Sequence, residues 1–274
     1  MLFADPDDID AVNPTLIAAV APWADRLCRL WFRLEVEGLE QLPSGPALVV
    51  GNHNAGTMFL EAVGFGARAH RATGELWCGL AHDALMAAPV VGPLLAAVGA
   101  VRARHEAAHR AFEQGRKVLV FPGGNAEAFR SFRRRHEVDL QGRRGFLRLA
   151  IRAQVPVSPV VFIGGHEGLV ILREGRRLAK ALRADRWLRS EVWPVMLALP
   201  WGVAVGPVPH LPLPVDCTAR VLPPIDIAGR YTAEQADDPA VLEALYQEVE
   251  GAMQTALDAM AAERKGAFAR LRRR

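Results

Sequence analysis

A histidine in a short polar loop is the residue best suited to acid–base chemistry. Residues 51–57 read GNHNAGT, follow an apolar run at residues 47–50 and precede a helical pattern that starts near Met58. Loops at the carboxyl ends of strands are where α/β sheets place ligands. A histidine there can take a proton from a hydroxyl at neutral pH, because a neutral imidazole is a good base. We therefore predict that His53 is a general base, although a loop histidine can also be purely structural.

A second loop could hold an anionic or strongly polar group. Residues 120–127 read VFPGGNAE and again follow an apolar run, at residues 117–121. The paired glycines, Gly123 and Gly124, would let backbone amides approach such a group closely. A plain strand-to-helix turn explains the same letters.

The order of the motifs is more specific than any one of them. The histidine loop is followed by Val98-Gly99-Ala100-Val101-Arg102, the FPGG loop, Arg143-Arg144-Gly145-Phe146 and the apolar run VPVSPV at residues 155–160. A strand ending in NH, a GxxR segment, an FPxG loop and a VPVxPV strand together resemble the glycerolipid and lysophospholipid acyltransferase family. The resemblance spans roughly residues 35–163. FPGG followed by Glu127 looks nearest to the diacylglycerol-acyltransferase-like branch.

This resemblance implies a reaction and its partners. The donor would be acyl-CoA or acyl-carrier protein, the acceptor a glycerolipid or lysophospholipid hydroxyl, and transfer would be direct, with no cofactor and no metal. The histidine of the family's HxxxxD motif falls on His53, and the GxxR arginine and FPxG loop are expected to hold the acceptor's polar head. The residues assigned to substrate binding are Asn52, Arg102, Phe121, Pro122, Gly123, Gly124, Asn125, Glu127 and Arg144.

One departure concerns the carboxylate that should orient His53. Met58 stands where the family has its aspartate. Glu61 lies three residues further on, one helical turn away, and its longer side chain is our candidate for a second catalytic residue. Glu61 could equally be an acid that the macrodipole favours in the first turn of a helix. A degenerate acyltransferase that binds lipid without turning it over therefore stays open.

A different chemistry is suggested by residues 105–109, which read HEAAH. On a helix this pattern supplies two zinc ligands, His105 and His109, and a general base, and Glu127 could be proposed as a third ligand. No GxxH continuation follows, and the helix leads directly into a strand. A zinc hydrolase is thus the less favoured alternative. His166, in a glycine-rich loop after a strand, could also line a site, or simply form a turn.

The elements that position these loops are predicted from hydrophobic periodicity. Apolar runs at residues 47–51, 117–121, 157–163 and 218–222 indicate buried strands, and helical patterns separate them. We predict an α/β fold: one domain with a mixed, largely parallel sheet flanked by helices, an N-terminal amphipathic helical segment and a C-terminal helix. The expected divisions are a membrane-facing segment at 1–33, the α/β acyltransferase domain at 34–230 and the C-terminal helix at 231–274.

Charge and apolar patterning favour a membrane surface as partner. The net charge of +3 is too small to indicate nucleic acid, but eight arginines cluster at residues 130–152, with only Glu137 and Asp139 opposing them locally. They could meet lipid headgroups or form a solvated face. Residues 14–33 make an amphipathic helix that suits core packing or a membrane interface.

Two uncharged stretches, residues 84–101 and 192–215, bear on the same question. The prolines of the second indicate a buried or surface-dipping loop and exclude a spanning helix. Three scattered cysteines and an acidic start at residues 1–10 indicate a cytoplasmic protein. We expect it to associate peripherally with the inner face of a membrane.

Overall fold

The computed structural model describes residues 5, 7–54, 56, 60–187 and 190–264, with the backbone alone for residues 60, 61 and 187. Its ten strands form two sheets. In chain order they are β1 (Glu35–Glu37), β2 (Leu48–Gly51), β3 (Trp77–Ala81), β4 (Ala100–Arg102), β5 (Lys117–Val120), β6 (Val157–Ile163), β7 (Val170–Arg173), β8 (Val195–Ala198), β9 (Gly202–Val205) and β10 (Thr218–Val221).

The main sheet has seven strands in the order β1-β10-β6-β2-β5-β3-β4. The run from β6 to β4 is parallel throughout, and only β10 is antiparallel to its neighbour β6. The predicted α/β fold with a mixed, largely parallel sheet is therefore confirmed. Because β2, β5 and β6 are adjacent and parallel, the loops that follow them open at one edge of the sheet.

Eleven α-helices surround the sheets within the described residues. Proline at the first position and a polar cap start the longest two: Asn13 caps Leu16 ahead of Pro14, and Asp238 caps Ala240 ahead of Pro239. The helices are α1 (Pro14–Trp31), α2 (Leu60–Thr73), α3 (Asp83–Met86), α4 (Val91–Ala97), α5 (His105–Glu113), α6 (Gly124–Ala128), α7 (Gly145–Ala153), α8 (Gly165–Gly168), α9 (Arg176–Ala181), α10 (Ala184–Trp187) and α11 (Pro239–Glu263).

Alternating side chains of the main sheet enter two cores. Leu48 and Val50 of β2 face a core shared with α5, α7 and α11, whereas Val49 between them packs with Phe65 of α2 on the other face. The C-terminal helix buries Val249 and three further apolar residues completely, so it belongs to the same core as the sheet. These two cores fix the carboxyl ends of β2, β5 and β6.

The uncharged stretch at residues 192–215 was predicted to be a loop, and the structure differs. It contains the antiparallel hairpin of β8 and β9, which pairs with β7 in a three-stranded sheet. The prolines that indicated a loop, at positions 194, 200 and 207, all lie just outside the two strands, where they remove no ladder hydrogen bond. Within the described residues, no helix combines the length and apolar character needed to cross a bilayer.

The arginine cluster also differs from its sequence interpretation. Arg130 is fully buried, and remote carboxylates oppose several of the others: Glu174 pairs with Arg134, Glu243 with Arg144, and Asp237 with both Arg148 and Arg152. The cluster is therefore no continuous free cationic patch, because the carboxylates come from segments far along the chain.

Candidate active site

The histidine loop is anchored by its first polar residue. The Asn52 side chain is buried; its Nδ2 donates to the Phe162 carbonyl at 3.0 Å, and its Oδ1 accepts the Phe162 N–H at 2.7 Å. These bonds extend the pairing of β2 with β6 by one residue beyond the strand. Asn52, which we assigned to substrate binding, thus holds the backbone that carries His53.

The His53 imidazole stacks on the ring of Phe121 from the neighbouring FPGG loop. The ring centroids are 4.7 Å apart and the planes differ by 21°, and His53 is only 6% exposed. Close approach of the two strands requires a glycine before this loop, since a Cβ on Gly51 would lie 2.6 Å from the Phe121 ring. The structure therefore brings the two predicted motifs into direct contact.

A buried ion pair lies beneath His53. The Glu127 carboxylate accepts the backbone N–H of His53 at 2.9 Å and that of Asp139 at 3.1 Å, and it lies 3.3 Å from the Arg130 guanidinium. Both side chains are fully buried. Burial raises the pKa of Glu127, while Arg130 and the His53 loop act in the opposite direction. Glu127 was assigned to substrate; here it joins the two loops, and Gly123 makes the room it needs.

His166 forms a second layer behind the loop. Its Nδ1 lies 3.3 Å from Oδ1 of Asn54, so a proton on Nδ1 donates to the asparagine. The side chain is buried, and its Nε2 has no hydrogen-bond partner among the described residues. Burial and then the charge of Arg130 hold the pKa of His166 well below its ordinary value, so this imidazole is neutral. From the sequence, His166 was consistent both with a residue that lines the site and with a simple turn.

An exposed cation, Arg143, lies against the FPGG loop and was not among the residues that the sequence assigned to the site. Arg143 donates from Nη1 to the Pro122 carbonyl at 2.9 Å, and its guanidinium lies 2.6 Å from where a Cβ on Gly124 would stand. Gly124 has a positive φ of 56°, which suits glycine at this turn. Asn125 follows in the first turn of α6. The sequence signal for Arg143 was present, because it adjoins Arg144 in the RRGF motif.

Two predicted substrate-binding arginines lie away from this centre. Arg144 forms an ion pair with Glu243 and lies over the ring of Tyr246, both on α11. Arg102 ends the edge strand β4 and pairs with Asp7 at 3.0 Å. Three strand spacings separate β4 from β2, roughly 14 Å. Both assignments stay predictions, at the periphery of the loops that meet around His53.

The position of the family's aspartate, and Glu61 as its proposed substitute, are only partly described by the structure. Met58 lies outside the described residues. For Glu61 only the backbone is described, in the first turn of α2. The role of Glu61 therefore stays a prediction.

Among the described residues, no third zinc ligand joins His105 and His109 of the HEAAH pattern. His109 is half exposed and pairs with Glu113 at 3.3 Å. Glu127, the third ligand considered, is buried against Arg130. No group of three histidine, cysteine, aspartate or glutamate side chains suited to a metal occurs within the described part of the chain. The pattern here is an ordinary exposed helix face.

Comparison with known proteins identifies the family. The Acyltransferase family model matches residues 33–163. An uncharacterised protein of Mycobacterium tuberculosis is 32% identical over 257 residues, which are 92% of this chain and 68% of that protein. The Homo sapiens DGAT1/2-independent enzyme synthesizing storage lipids is 29% identical over 170 residues, 62% of this chain and 49% of that enzyme.

A solved structure shares the fold. The 1-acyl-sn-glycerophosphate (LPA) acyltransferase PlsC of Thermotoga maritima has a TM-score of 0.55 to this chain, covering 92% of it and 84% of PlsC, with 19% sequence identity. The motif order, the fold and the relatives agree, and the chain belongs to the glycerolipid acyltransferase family.

Proposed function

We propose that this acyltransferase moves a fatty acyl group from the thioester of acyl-CoA or acyl-carrier protein to a hydroxyl of a glycerolipid or lysophospholipid, with His53 as general base. One observation carries the proposal: His53 lies at the carboxyl end of a central parallel strand, stacked on Phe121 and tied through its backbone to Glu127. A base fixed at that place, between two loops, is what an acyl transfer to an alcohol requires.

The reaction needs no covalent enzyme intermediate. His53 takes the proton of the acceptor hydroxyl as its oxygen attacks the thioester carbonyl carbon. The tetrahedral intermediate then collapses, the carbon–sulfur bond breaks, and the departing thiolate takes the proton back from the imidazolium. Glu127, paired with Arg130, holds the backbone of the loop that carries the imidazolium formed between these steps.

Glu61 is our candidate for the carboxylate that orients the His53 ring. It stands at the start of α2, three residues beyond the position that holds Met58. Three residues separate the two positions in the sequence, and a helix that began near Thr57 would set them one turn apart, which supports the substitution of a longer glutamate for the family's aspartate. Asn52, which supports the loop backbone, cannot supply the negative charge that this role needs.

A membrane surface is the proposed source of the acceptor. The outer face of α1 exposes Trp23, Leu27 and Leu30, by 70%, 61% and 70%, while Asp25 and Cys28 on its inner face are buried. Arg26 and Arg29 are exposed beside these apolar side chains. An apolar helix face flanked by cations suits peripheral attachment to the lipid interface.

Release of free thiol from long-chain acyl-CoA by the purified protein tests the function. The protein is mixed with lipid vesicles and one acceptor at a time, covering lysophosphatidate, other lysophospholipids, monoacylglycerol and diacylglycerol, and a parallel series uses acyl-carrier protein as donor. We expect acceptor-dependent release that falls roughly 100-fold or more in His53→Ala. Glu61→Gln should lower it as well if that carboxylate orients the ring.

His105→Ala is the matched control, because it removes an exposed histidine without touching the His53 loop. Its rate should equal that of the wild type; a loss there, together with sensitivity to chelators, would favour the zinc hydrolase instead. Saturable acyl-CoA binding without thiol release from any pair of substrates would mean that Met58 marks a lost catalytic site. The protein would then be a lipid binder.

A further inference from the structure

The three-stranded sheet is apolar on both of its faces. On the inner face, Ile171 and Met196 pack against Phe129, directly after the helix that carries Glu127. On the outer face, the cross-strand partners Leu197 and Val203 are 44% and 65% exposed. A sheet with one buried face normally turns polar side chains to water on the other. The exposed apolar side chains of this outer face therefore indicate contact with an apolar partner.

The surface continues around the tip of the hairpin. Trp201, in the turn between β8 and β9, is 59% exposed. Leu199 forms an antiparallel bridge with Leu211, and these two side chains are 46% and 52% exposed. Residues 192–215 contain no aspartate, glutamate, lysine or arginine. An uncharged stretch with this much exposed apolar surface is typical of a binding face.

Cations gather at the opposite end of the hairpin. The Trp193 backbone contacts Gly175 at the start of α9, and the Trp193 indole lies 3.0 Å from the Cβ position of Gly206, which follows β9. This contact places α9 at the base of the hairpin, whereas Trp201 is roughly 13 Å away along β9. The segment from β7 to α10 has two carboxylates, Glu174 and Asp185, and six exposed cations: Arg173, Arg176, Arg177, Lys180, Arg183 and Arg186. Arg176 pairs with Glu174 at 3.0 Å and lies 3.9 Å from Glu191, so the segment keeps an excess of positive charge after these pairs are counted.

We propose that the hairpin Val195–Val205 enters an anionic phospholipid bilayer with its tip, while the cations of α9 contact the headgroups. An apolar, tryptophan-bearing end and a basic end about one leaflet interface apart match the polarity profile of such a membrane. The inference rests on the proposed function in one respect: it assumes that the protein acts at a lipid surface. It adds a second attachment to that of α1, outside residues 33–163 that the family model matches. The two are linked, because Trp31 at the end of α1 donates its indole N–H to the Pro212 carbonyl at 3.0 Å.

The same sheet connects the bilayer to the catalytic loops. His210, buried in the segment that follows the hairpin, lies 3.3 Å from where a Cβ on Gly56 would stand. The inner face of the sheet packs on Phe129, two residues beyond Glu127. Insertion of the hairpin therefore places the His53 loop next to the lipid surface.

Co-sedimentation of the full-length protein with vesicles tests the docking. Vesicles of phosphatidylcholine alone are compared with vesicles that also contain phosphatidylglycerol. Val203→Asp should weaken binding to both by about tenfold or more, because it moves a carboxylate to the tip. Val63→Asp is the matched control, an exposed valine on α2, 45% exposed, and should bind like the wild type.

A charge-matched pair of variants tests the headgroup contact. Arg176→Gln/Arg177→Gln/Lys180→Gln should weaken binding to phosphatidylglycerol vesicles on the order of 100-fold, about fivefold for each charge, with little effect on phosphatidylcholine. Arg110→Gln/Arg148→Gln/Arg152→Gln removes the same charge from α5 and α7 and should leave binding near the wild-type value. Equal losses in the two triple variants would overturn the assignment of α9.

Two further outcomes decide the proposal. Wild-type binding by Val203→Asp would overturn insertion of the hairpin, and so would concentration-dependent dimers of the wild type that Val203→Asp dissociates while vesicle binding persists. His53→Ala should bind vesicles like the wild type while its acyl transfer falls roughly 100-fold or more. If the wild type binds vesicles but neither it nor any variant transfers an acyl group, the proposed function is refuted and the docking stands. Failure of the docking and failure of the function are therefore distinguishable.

Discussion

The backbone N–H of His53 donates to the carboxylate of Glu127 at 2.9 Å, and that carboxylate is fully buried beside Arg130. This relationship makes the position of the base depend on an ion pair that water cannot reach. The pair also receives the Asp139 N–H, so it ties the His53 loop, α6 and the segment before α7 together.

Removing one member of this pair should therefore destabilise the folded protein. Glu127→Gln leaves the Arg130 charge buried without its partner, and we expect the free energy of unfolding to fall by about 3–5 kcal/mol. Arg130→Met, which leaves the carboxylate alone, should cost a similar amount. Urea unfolding followed by circular dichroism measures both changes.

The double variant Glu127→Gln/Arg130→Met supplies the control. It buries no unpaired charge, so its loss of stability should be smaller than the sum of the two single losses, by roughly 1–3 kcal/mol. Strictly additive losses would mean that the two side chains do not stabilise each other and that their contact does not hold the His53 loop.

The sequence predicted where the two loops lie along the chain, but it did not predict the buried ion pair that supports them. Apolar runs ahead of His53 and Phe121 indicated two strands, and the structure has both strands, adjacent and parallel. Arg130 gave no such signal, because an arginine in a basic run indicates a solvated face. Its partners, the Glu127 carboxylate and the carbonyls of Glu127 and Arg135, lie within five residues, but the burial of the whole group depends on packing that no local pattern shows.

The shortest and most proline-rich elements were also missed. β4 has three residues and ends in Arg102, too little for a period to be visible. The hairpin of β8 and β9 was obscured by prolines that fall in its turns. The opposing charges of Arg144, Arg148 and Arg152 come from Glu243 and Asp237, about 85 to 99 residues along the chain, so no local count could find them.

His166 should make stability depend on pH. Its pKa is held well below 6.5 in the folded protein, mainly by burial, whereas an unfolded histidine titrates near 6.5. As the pH falls below 6.5, the unfolded chain takes up a proton that the folded site refuses. The contribution of His166 to the free energy of unfolding is thus complete above 6.5 and is lost below it, by at most about 1.4 kcal/mol per pH unit.

Urea unfolding at several values from roughly pH 7.5 to about pH 5 tests this coupling. His166→Gln should show a shallower dependence on pH than the wild type. His109→Gln, which removes a half-exposed histidine on α5, should keep the wild-type dependence. Identical slopes for wild type and His166→Gln would show that the buried imidazole is not responsible.

Arg143 and Arg144 are neighbours in sequence with opposite surroundings, and this difference gives a test of how the acceptor is held. Arg143 is exposed and lies against the FPGG loop, whereas Arg144 pairs with Glu243 on α11. We expect Arg143→Met to raise KM for an anionic acceptor such as lysophosphatidate about tenfold, with kcat little changed, because a charge-assisted hydrogen bond is lost from bound substrate. KM for neutral monoacylglycerol should stay the same. Arg144→Met removes an equal charge from the adjacent residue and should alter neither KM. If Arg144→Met raises KM and Arg143→Met does not, Arg144 holds the acceptor, as its assignment from the sequence states.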